Sequence, residues 1–236
     1  MIVDKKCWQV SNIFQQVFQT IIWKGGTIIY RHYFQLKCQG IEHLPQDRGY
    51  LIVANHVSHL DGSVIIAAHG KHLKSVYSLA AKDYFFDRTW KAWFYQYFFN
   101  MIPFERRGKF LDCLKICQTA ISQQKYILFF PEGTRSPTGE MQLLKLGLGM
   151  LVMQLQVTVV PAYISGTYQA LPKGSRFPKR YPITVSFGVP LEFTDRQDRV
   201  SREERNQLYQ EIIDRVTIAM ADLKNSQGRS DLNKIK

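Results

Sequence analysis

At 236 residues and 45% hydrophobic content, the chain suffices for one sizeable core and fits a single domain. Basic residues outnumber acidic ones to a formal net charge of +12, which calls for an anionic partner: nucleic acid, an anionic membrane surface or a phosphorylated substrate. Aromatics at 13% join that surplus in a combination suited to a membrane interface; the four cysteines (Cys7, Cys38, Cys113, Cys117) make no disulfide framework and fit a reducing cytoplasm.

From the N-terminus, Trp8, Val10, Ile13, Phe14, Val17, Phe18, Ile21 and Ile22 recur at helical spacing, with Gln9, Asn12, Gln15, Gln16 and Gln19 opposite. Lys24-Gly25-Gly26 interrupts this helix, and a second apolar piece runs from Ile28 to Phe34. The segment either docks on lipid or packs on the core; its position ahead of the motif-bearing region favours docking. Asp4 and the threaded glutamines argue against a cleavable leader, and no window of about 20 residues is free of polar groups, as a membrane span requires. Lys37 to Leu44 reads as an edge strand. After the turn-like Gln46-Asp47-Arg48-Gly49, the apolar run Tyr50 to Ala54 reads as a buried strand.

That strand leads into Asn55-His56-Val57-Ser58-His59-Leu60-Asp61-Gly62 and a small-residue helix over 63–69. A histidine and an aspartate thus sit where strand gives way to helix, a usual place for ligands in α/β folds. In an unbroken helix five positions turn about 500°, which leaves two side chains roughly 140° apart. To serve one site, His56 must precede the helix, with Asp61 reaching back to fix its tautomer and stabilise its protonated form.

Leu73 to Ala80 reads as a strand, and Lys82 to Phe104 holds more rings than one core face absorbs, so part of it should meet lipid or an acyl chain. Phe110 to Gln124 is an amphipathic helix in which Cys113 and Cys117 share a face as small buried residues, no Cys-x2-Cys partner being present for a metal. A second buried strand, Tyr126 to Phe130, runs into Pro131-Glu132-Gly133-Thr134-Arg135-Ser136. There follow Leu143-Leu144-Lys145-Leu146-Gly147, a helix through Met153, and a buried strand over Val157 to Tyr163 in which Pro161 breaks the ladder. Residues 172–180 carry Lys173, Arg176, Lys179 and Arg180 with no acid, a loop suited to lipid headgroups. Ile183 to Phe187 is the last strand. Ser201-Arg202-Glu203-Glu204 is a capping box that opens a helix packed through Leu208, Ile212, Val216, Ala219 and Leu223.

Asn-His-x4-Asp at 55–61 and Phe-Pro-Glu-Gly-Thr-Arg-Ser at 130–136, in this order and spacing, resemble the two marks of the glycerolipid acyltransferase family without a substitution. The resemblance covers roughly residues 40 to 190. It implies an α/β fold, a single domain with a mixed central sheet flanked by helices, plus an N-terminal interfacial helical segment. The division it suggests is 1–36 for membrane-docking helices, 37–200 for the catalytic domain, 201–224 for a helix packed on that domain and 225–236 for a disordered tail. His56 and Asp61 would be catalytic, and Arg106, Glu132, Gly133, Thr134 and Arg135 substrate-binding. Ile102 to Gly108 resembles the family's second motif, with Arg106 facing the site, Arg107 its rival and Lys82 the lysine that opens the segment. Lys145 matches a family lysine, Pro161 lies in the fourth motif, and Asn55 and Ser58 adjoin the catalytic pair.

The absence of Gly-x-Ser-x-Gly argues against an acyl-enzyme, so His56 would deprotonate a substrate hydroxyl that attacks a thioester directly. Gly133 permits close backbone approach, Thr134 offers a hydroxyl and Arg135 a fork for phosphate oxygens; Glu132 is expected to orient Arg135 or bond an acceptor hydroxyl. Within the family, the chain looks most like the 1-acylglycerol-3-phosphate enzymes, which make phosphatidic acid. The partners implied are acyl-CoA or acyl-carrier protein as donor, lysophosphatidic acid as acceptor and the cytoplasmic face of a membrane, with no cofactor and no metal. Another acceptor (glycerol 3-phosphate, another lysophospholipid or an amino-lipid) is the main rival. A catalytically inactive basic membrane-binding module would be expected to lose His56 or Asp61, and a His56-His59-Asp61 metal cluster wants further ligands. Nucleic acid lacks support, since the basic residues are scattered and no reader motif is present.

Overall fold

Near-continuous apolar runs belong in parallel strands covered on both faces, because each crossover lays a helix on the sheet. Tyr50 to Ala54 is such a run, and every residue in it is buried. The computed structural model describes residues 13–70, 75–81, 100–104, 110–193 and 201–232. Among these the strands are β1 (Lys37–Gln39), β2 (Tyr50–Ala54), β3 (Val76–Ala81), β4 (Met101–Phe104), β5 (Tyr126–Phe129), β6 (Val159–Ser165) and β7 (Thr184–Phe187). They form one sheet in the order β1-β7-β6-β2-β5-β3-β4. β6, β2, β5, β3 and β4 run parallel; β7 opposes β6, and β1 follows β7. The result is the mixed sheet that the family resemblance implied.

The helices are α1 (Ile13–His32), α2 (Asp61–Ala68), α3 (Phe110–Ser122), α4 (Gly147–Leu155), the single turn α5 (Thr167–Ala170) and α6 (Arg202–Leu232). Strand alternation sorts the core into two layers. Tyr50, Ile52 and Ala54 face Trp23, Tyr30 and Phe34 near α1 together with Val64 to Ala68 of α2. Leu51 and Val53 face Cys113 and Cys117 of α3, Leu151 and Val152 of α4, and Ile212 and Val216 of α6. The chain therefore leaves β2 through α2 on one face and leaves β5 through α4 on the other. β2 and β5 are neighbours, with Val53 opposite Phe129, so the loops that follow them emerge side by side at one end of the sheet.

Three sequence expectations change. α1 runs unbroken through Gly25 and Gly26, although each glycine costs a helix about 1 kcal/mol relative to alanine, because burial of Trp23 and Tyr30 on either side of the pair holds the helix down. The first strand stops at Gln39, not Leu44. Gly40 takes φ 70°, and a Cβ there would lie 2.0 Å from the Phe187 carbonyl oxygen, so the chain turns away into a 3-10 turn over Ile41–His43. The last helix continues to Leu232, through residues read as a disordered tail. Gln227 is the reason: it is buried, and its amide donates to the Tyr163 carbonyl at 3.2 Å and to Ser186 Oγ at 2.7 Å. The Ser201–Glu204 capping box forms reciprocally, at 2.7 and 3.2 Å. Residues 1–12, most of the aromatic stretch, Lys82, Arg106 and Arg107 lie outside the described residues.

Gln227→Ala removes both of those bonds inside the fold. It is expected to lower unfolding free energy by about 1–3 kcal/mol in urea titration; an unchanged midpoint would show that the end of α6 is not anchored there.

Candidate active site

Two backbone segments meet where β2 and β5 end, and the second holds the first. The Glu132 carboxylate accepts the His56 backbone N–H at Oε1, 2.8 Å, while the Ser136 N–H donates to the His56 carbonyl, also 2.8 Å. Both main-chain groups of His56 are thus satisfied by the 130–136 loop. The His56 ring stacks on Phe130, with centroids 4.2 Å apart and planes 17° from parallel. Phe130 follows β5 directly, so the strand pairing that aligns Val53 with Phe129 also aligns the imidazole with its platform.

Asp61 opens α2 and is fully buried. Its Oδ2 accepts His56 Nδ1 at 2.9 Å and the N–H groups of Val57 and Ser58 at 2.6 and 2.7 Å. A carboxylate oxygen only accepts, so Nδ1 carries the hydrogen and Nε2 of the neutral ring keeps its lone pair. The expectation that His56 sits on the loop and Asp61 reaches back describes this geometry. The two N–H bonds from the intervening turn are what let a side chain in the first helical turn point backwards.

Glu132 departs from expectation. Its carboxylate is buried, and no hydrogen bond joins it to Arg135 among the described residues. Oε2 instead accepts the Gln142 backbone N–H at 3.2 Å and its side-chain amide at 3.0 Å, and that amide also donates to the Thr134 carbonyl at 3.0 Å. Burial pushes the Glu132 carboxyl above the ordinary range, while the donors from His56 and Gln142 pull it back. Glu132 therefore joins two loops. Gly133 takes φ 73°, and a Cβ there would stand 2.8 Å from Lys145 Nζ, so the lysine amine lies directly over the glycine. Thr134 is exposed. Arg135 is half-buried, and its buried Nη1 has no partner among the described residues. Desolvation first, then the charges of Arg135 and His56 hold the His59 imidazole below the usual histidine range, so the three lie within one another's field.

The other residues read as site candidates build the frame. Asn55 is buried, and its amide donates to the Ile164 carbonyl at 2.9 Å while its Oδ1 accepts the Ile164 N–H at 2.7 Å. Ser58 Oγ donates to the Leu171 carbonyl at 2.7 Å and accepts the Leu60 N–H at 3.2 Å. Pro161 sits opposite Val53 inside the sheet, and its carbonyl accepts the Gly188 N–H. Among the described residues no three His, Cys, Asp or Glu side chains are gathered as metal ligands. Sequence reasoning missed Gln142 and the Phe130 platform. No local pattern marks Gln142, which lies ten residues beyond its partner.

A family model described as acyltransferase matches residues 35–165, more than half of the chain, and takes in both loops. The chain belongs to the acyltransferase family. Relatives include the chloroplastic 1-acyl-sn-glycerol-3-phosphate acyltransferase BAT2 of Brassica napus, 27% identical over 75% of this chain and 50% of its own length. The Arabidopsis thaliana enzyme LPAT1 is 30% identical over 61% of this chain and 39% of its own. This chain thus spans half or less of those relatives. The crystal structure of the 1-acyl-sn-glycerophosphate (LPA) acyltransferase PlsC from Thermotoga maritima shares the fold, with TM-score 0.62 and 22% identity over 93% of this chain and 86% of that one. In this acyltransferase fold the His56 loop hangs from β6 by one side chain. Asn55→Ala would strand both Ile164 main-chain groups inside the protein and is expected to cost about 2–4 kcal/mol, read as a fall in the urea midpoint. A loss under 0.5 kcal/mol would mean that the loop is held elsewhere.

Proposed function

We propose that this protein transfers a fatty acyl group from an acyl thioester, acyl-CoA or acyl-carrier protein, to the sn-2 hydroxyl of 1-acyl-sn-glycerol 3-phosphate, giving phosphatidic acid. The observation that carries this reading is the His56–Asp61 pair, with Arg135, whose Nη1 has no partner among the described residues, acting on the same His59 imidazole as His56. Asp61 occupies Nδ1, so Nε2 is the base. It takes the proton of the acceptor hydroxyl as that oxygen attacks the thioester carbonyl. The tetrahedral intermediate then expels the thiolate, which takes its proton from the imidazolium that Asp61 stabilises. The ester bond forms, the thioester bond breaks, and His56 returns to its starting state. Arg135, with the Lys145 amine over Gly133, offers two cations for the acceptor phosphate, and Arg135 can meet its oxygens in bidentate fashion. The names of the relatives supply the acceptor class.

The reaction would run at a membrane surface. Beside its buried Trp23 and Tyr30, α1 buries Gln19, bonded to Asn100 at 3.1 Å, and leaves Val17, Ile21, Ile28 and Ile29 exposed. Among the described residues no helix is long and apolar enough to cross a membrane. The basic 172–180 loop adjoins α1, since the hydroxyl of Tyr33 just past its end donates to the Pro178 carbonyl at 3.4 Å, and the loop exposes Phe177 at 82%. An apolar ridge beside clustered Lys and Arg suits anionic headgroups above acyl chains.

Two measurements test these readings. With labelled acyl-CoA or acyl-carrier protein, label should move to 1-acylglycerol 3-phosphate in preference to glycerol 3-phosphate or a lysophospholipid with a blocked phosphate. His56→Ala should lower that rate about a thousandfold without unfolding the protein. Activity within tenfold of the parent would remove His56 from the role of base, and preference for the blocked lipid would reassign the acceptor. Glutamate at Ile21, Ile28 and Ile29 together should weaken binding to vesicles containing phosphatidylglycerol at least about tenfold. An unchanged partition would mean that α1 does not meet lipid.

A further inference from the structure

Gln142 belongs to no motif that the acyltransferase reading uses, yet its amide holds two points of the 130–136 loop. Nε2 donates at 3.0 Å to Glu132 Oε2 and at 3.0 Å to the Thr134 carbonyl, and its own backbone N–H donates to the same Glu132 oxygen at 3.2 Å. Glu132 Oε1 takes the His56 N–H at 2.8 Å. One side chain therefore fixes a carboxylate on whose other oxygen the backbone of the proposed base hangs. The same amide pins the peptide just ahead of Arg135. Without it Oε2 keeps a single donor, the Thr134 carbonyl loses this one, and the carboxylate is free to turn away from His56.

We propose that Gln142 is a positioning residue for acyl transfer, holding His56 through Glu132 and Arg135 through the Thr134 carbonyl. This rests on His56 being the base and Arg135 the phosphate contact, as above. The amide suits the task because it donates without titrating. Glu132 is buried, and burial favours its protonated form, which would turn one oxygen from acceptor to donor. Gln142 opposes that change. Among the described residues the titratable groups facing Glu132 are His56 from the β2 loop and Tyr163 from β6, the latter also in the field of Lys224 on α6 and of Glu140.

Gln142→Ala and Gln142→Glu separate positioning from mere loop stability. With alanine, kcat is expected to fall about tenfold to a hundredfold while the acyl-donor KM stays within about threefold. Its activity relative to the parent should fall further as pH falls, because Glu132 protonates more readily. With glutamate the slope reverses. At low pH one proton shared between the two carboxyls restores the bond, and at high pH the carboxylates repel. Independently of any substrate, hydrogen exchange at the His56 amide should quicken about tenfold in the alanine variant. Parent-like exchange at His56, or relative activities that are flat with pH in both variants, would overturn the proposal. Should the parent transfer acyl groups to no acceptor, the acyltransferase reading fails by itself, and the exchange rate alone decides whether Gln142 holds His56.

Discussion

The bond from the His56 backbone N–H to the buried Glu132 carboxylate is the constraint on which the site depends. Two parallel strands pair through their own amides only as far as they run. Past the ends of β2 and β5 the chains would part, because a loop carries no ladder. Glu132 and Ser136 continue the pairing by other means, one with a side chain and one with a main-chain amide. Charge assistance strengthens the first bond, and burial makes its loss costly, so the segment that bears the imidazole is held almost as a strand is held. The Phe130 ring then fixes the plane of the imidazole, and Asp61 fixes its tautomer.

Buried polar groups here follow one economy. Asn55, Ser58, Asp61 and Glu132 are all buried, and each bonds at least one main-chain group, Asp61 and Glu132 adding the side chains of His56 and Gln142. The sequence reading makes Asp61 catalytic and Glu132 substrate-binding, with Asn55 and Ser58 adjoining the catalytic pair. Several of them instead satisfy main-chain groups that would otherwise be stranded at the edge of the core, as burial requires. Among the described residues no such main-chain task falls to His56 Nε2, Arg135 Nη1 or the Lys145 amine. The site thus sets an imidazole and two basic side chains in a rigid polar frame.

The outer face of α1 follows the opposite rule. In α1 Gln19 is inside together with Trp23 and Tyr30 while Ile21, Ile28 and Ile29 are outside, an exposure of apolar surface that costs stability in water. The second core layer, on the far side of the sheet, shows the ordinary arrangement, with α3, α4 and α6 turning apolar stripes inward. The candidate active site sits between the two, at the carboxyl ends of the strands.

The sequence by itself determined the strands and the pair they present. Tyr50 to Ala54 and Tyr126 to Phe129 are apolar without a break, which only a strand covered on both faces accommodates. The five-residue spacing of His56 and Asp61 then required a loop before a helix. Motif spelling was enough to point to the acyltransferase family. What the tertiary structure decided was the partner of each polar atom. Glu132 lies beside Arg135 in sequence but bonds to His56 and Gln142, because the fold brings β2 against β5 and bends residue 142 back over the loop. Gln227 reads as tail, yet it anchors a helix to β6 and β7. Local spacing fixes which backbone forms; the destination of a buried donor or acceptor depends on groups distant in the chain, and only packing brings those together.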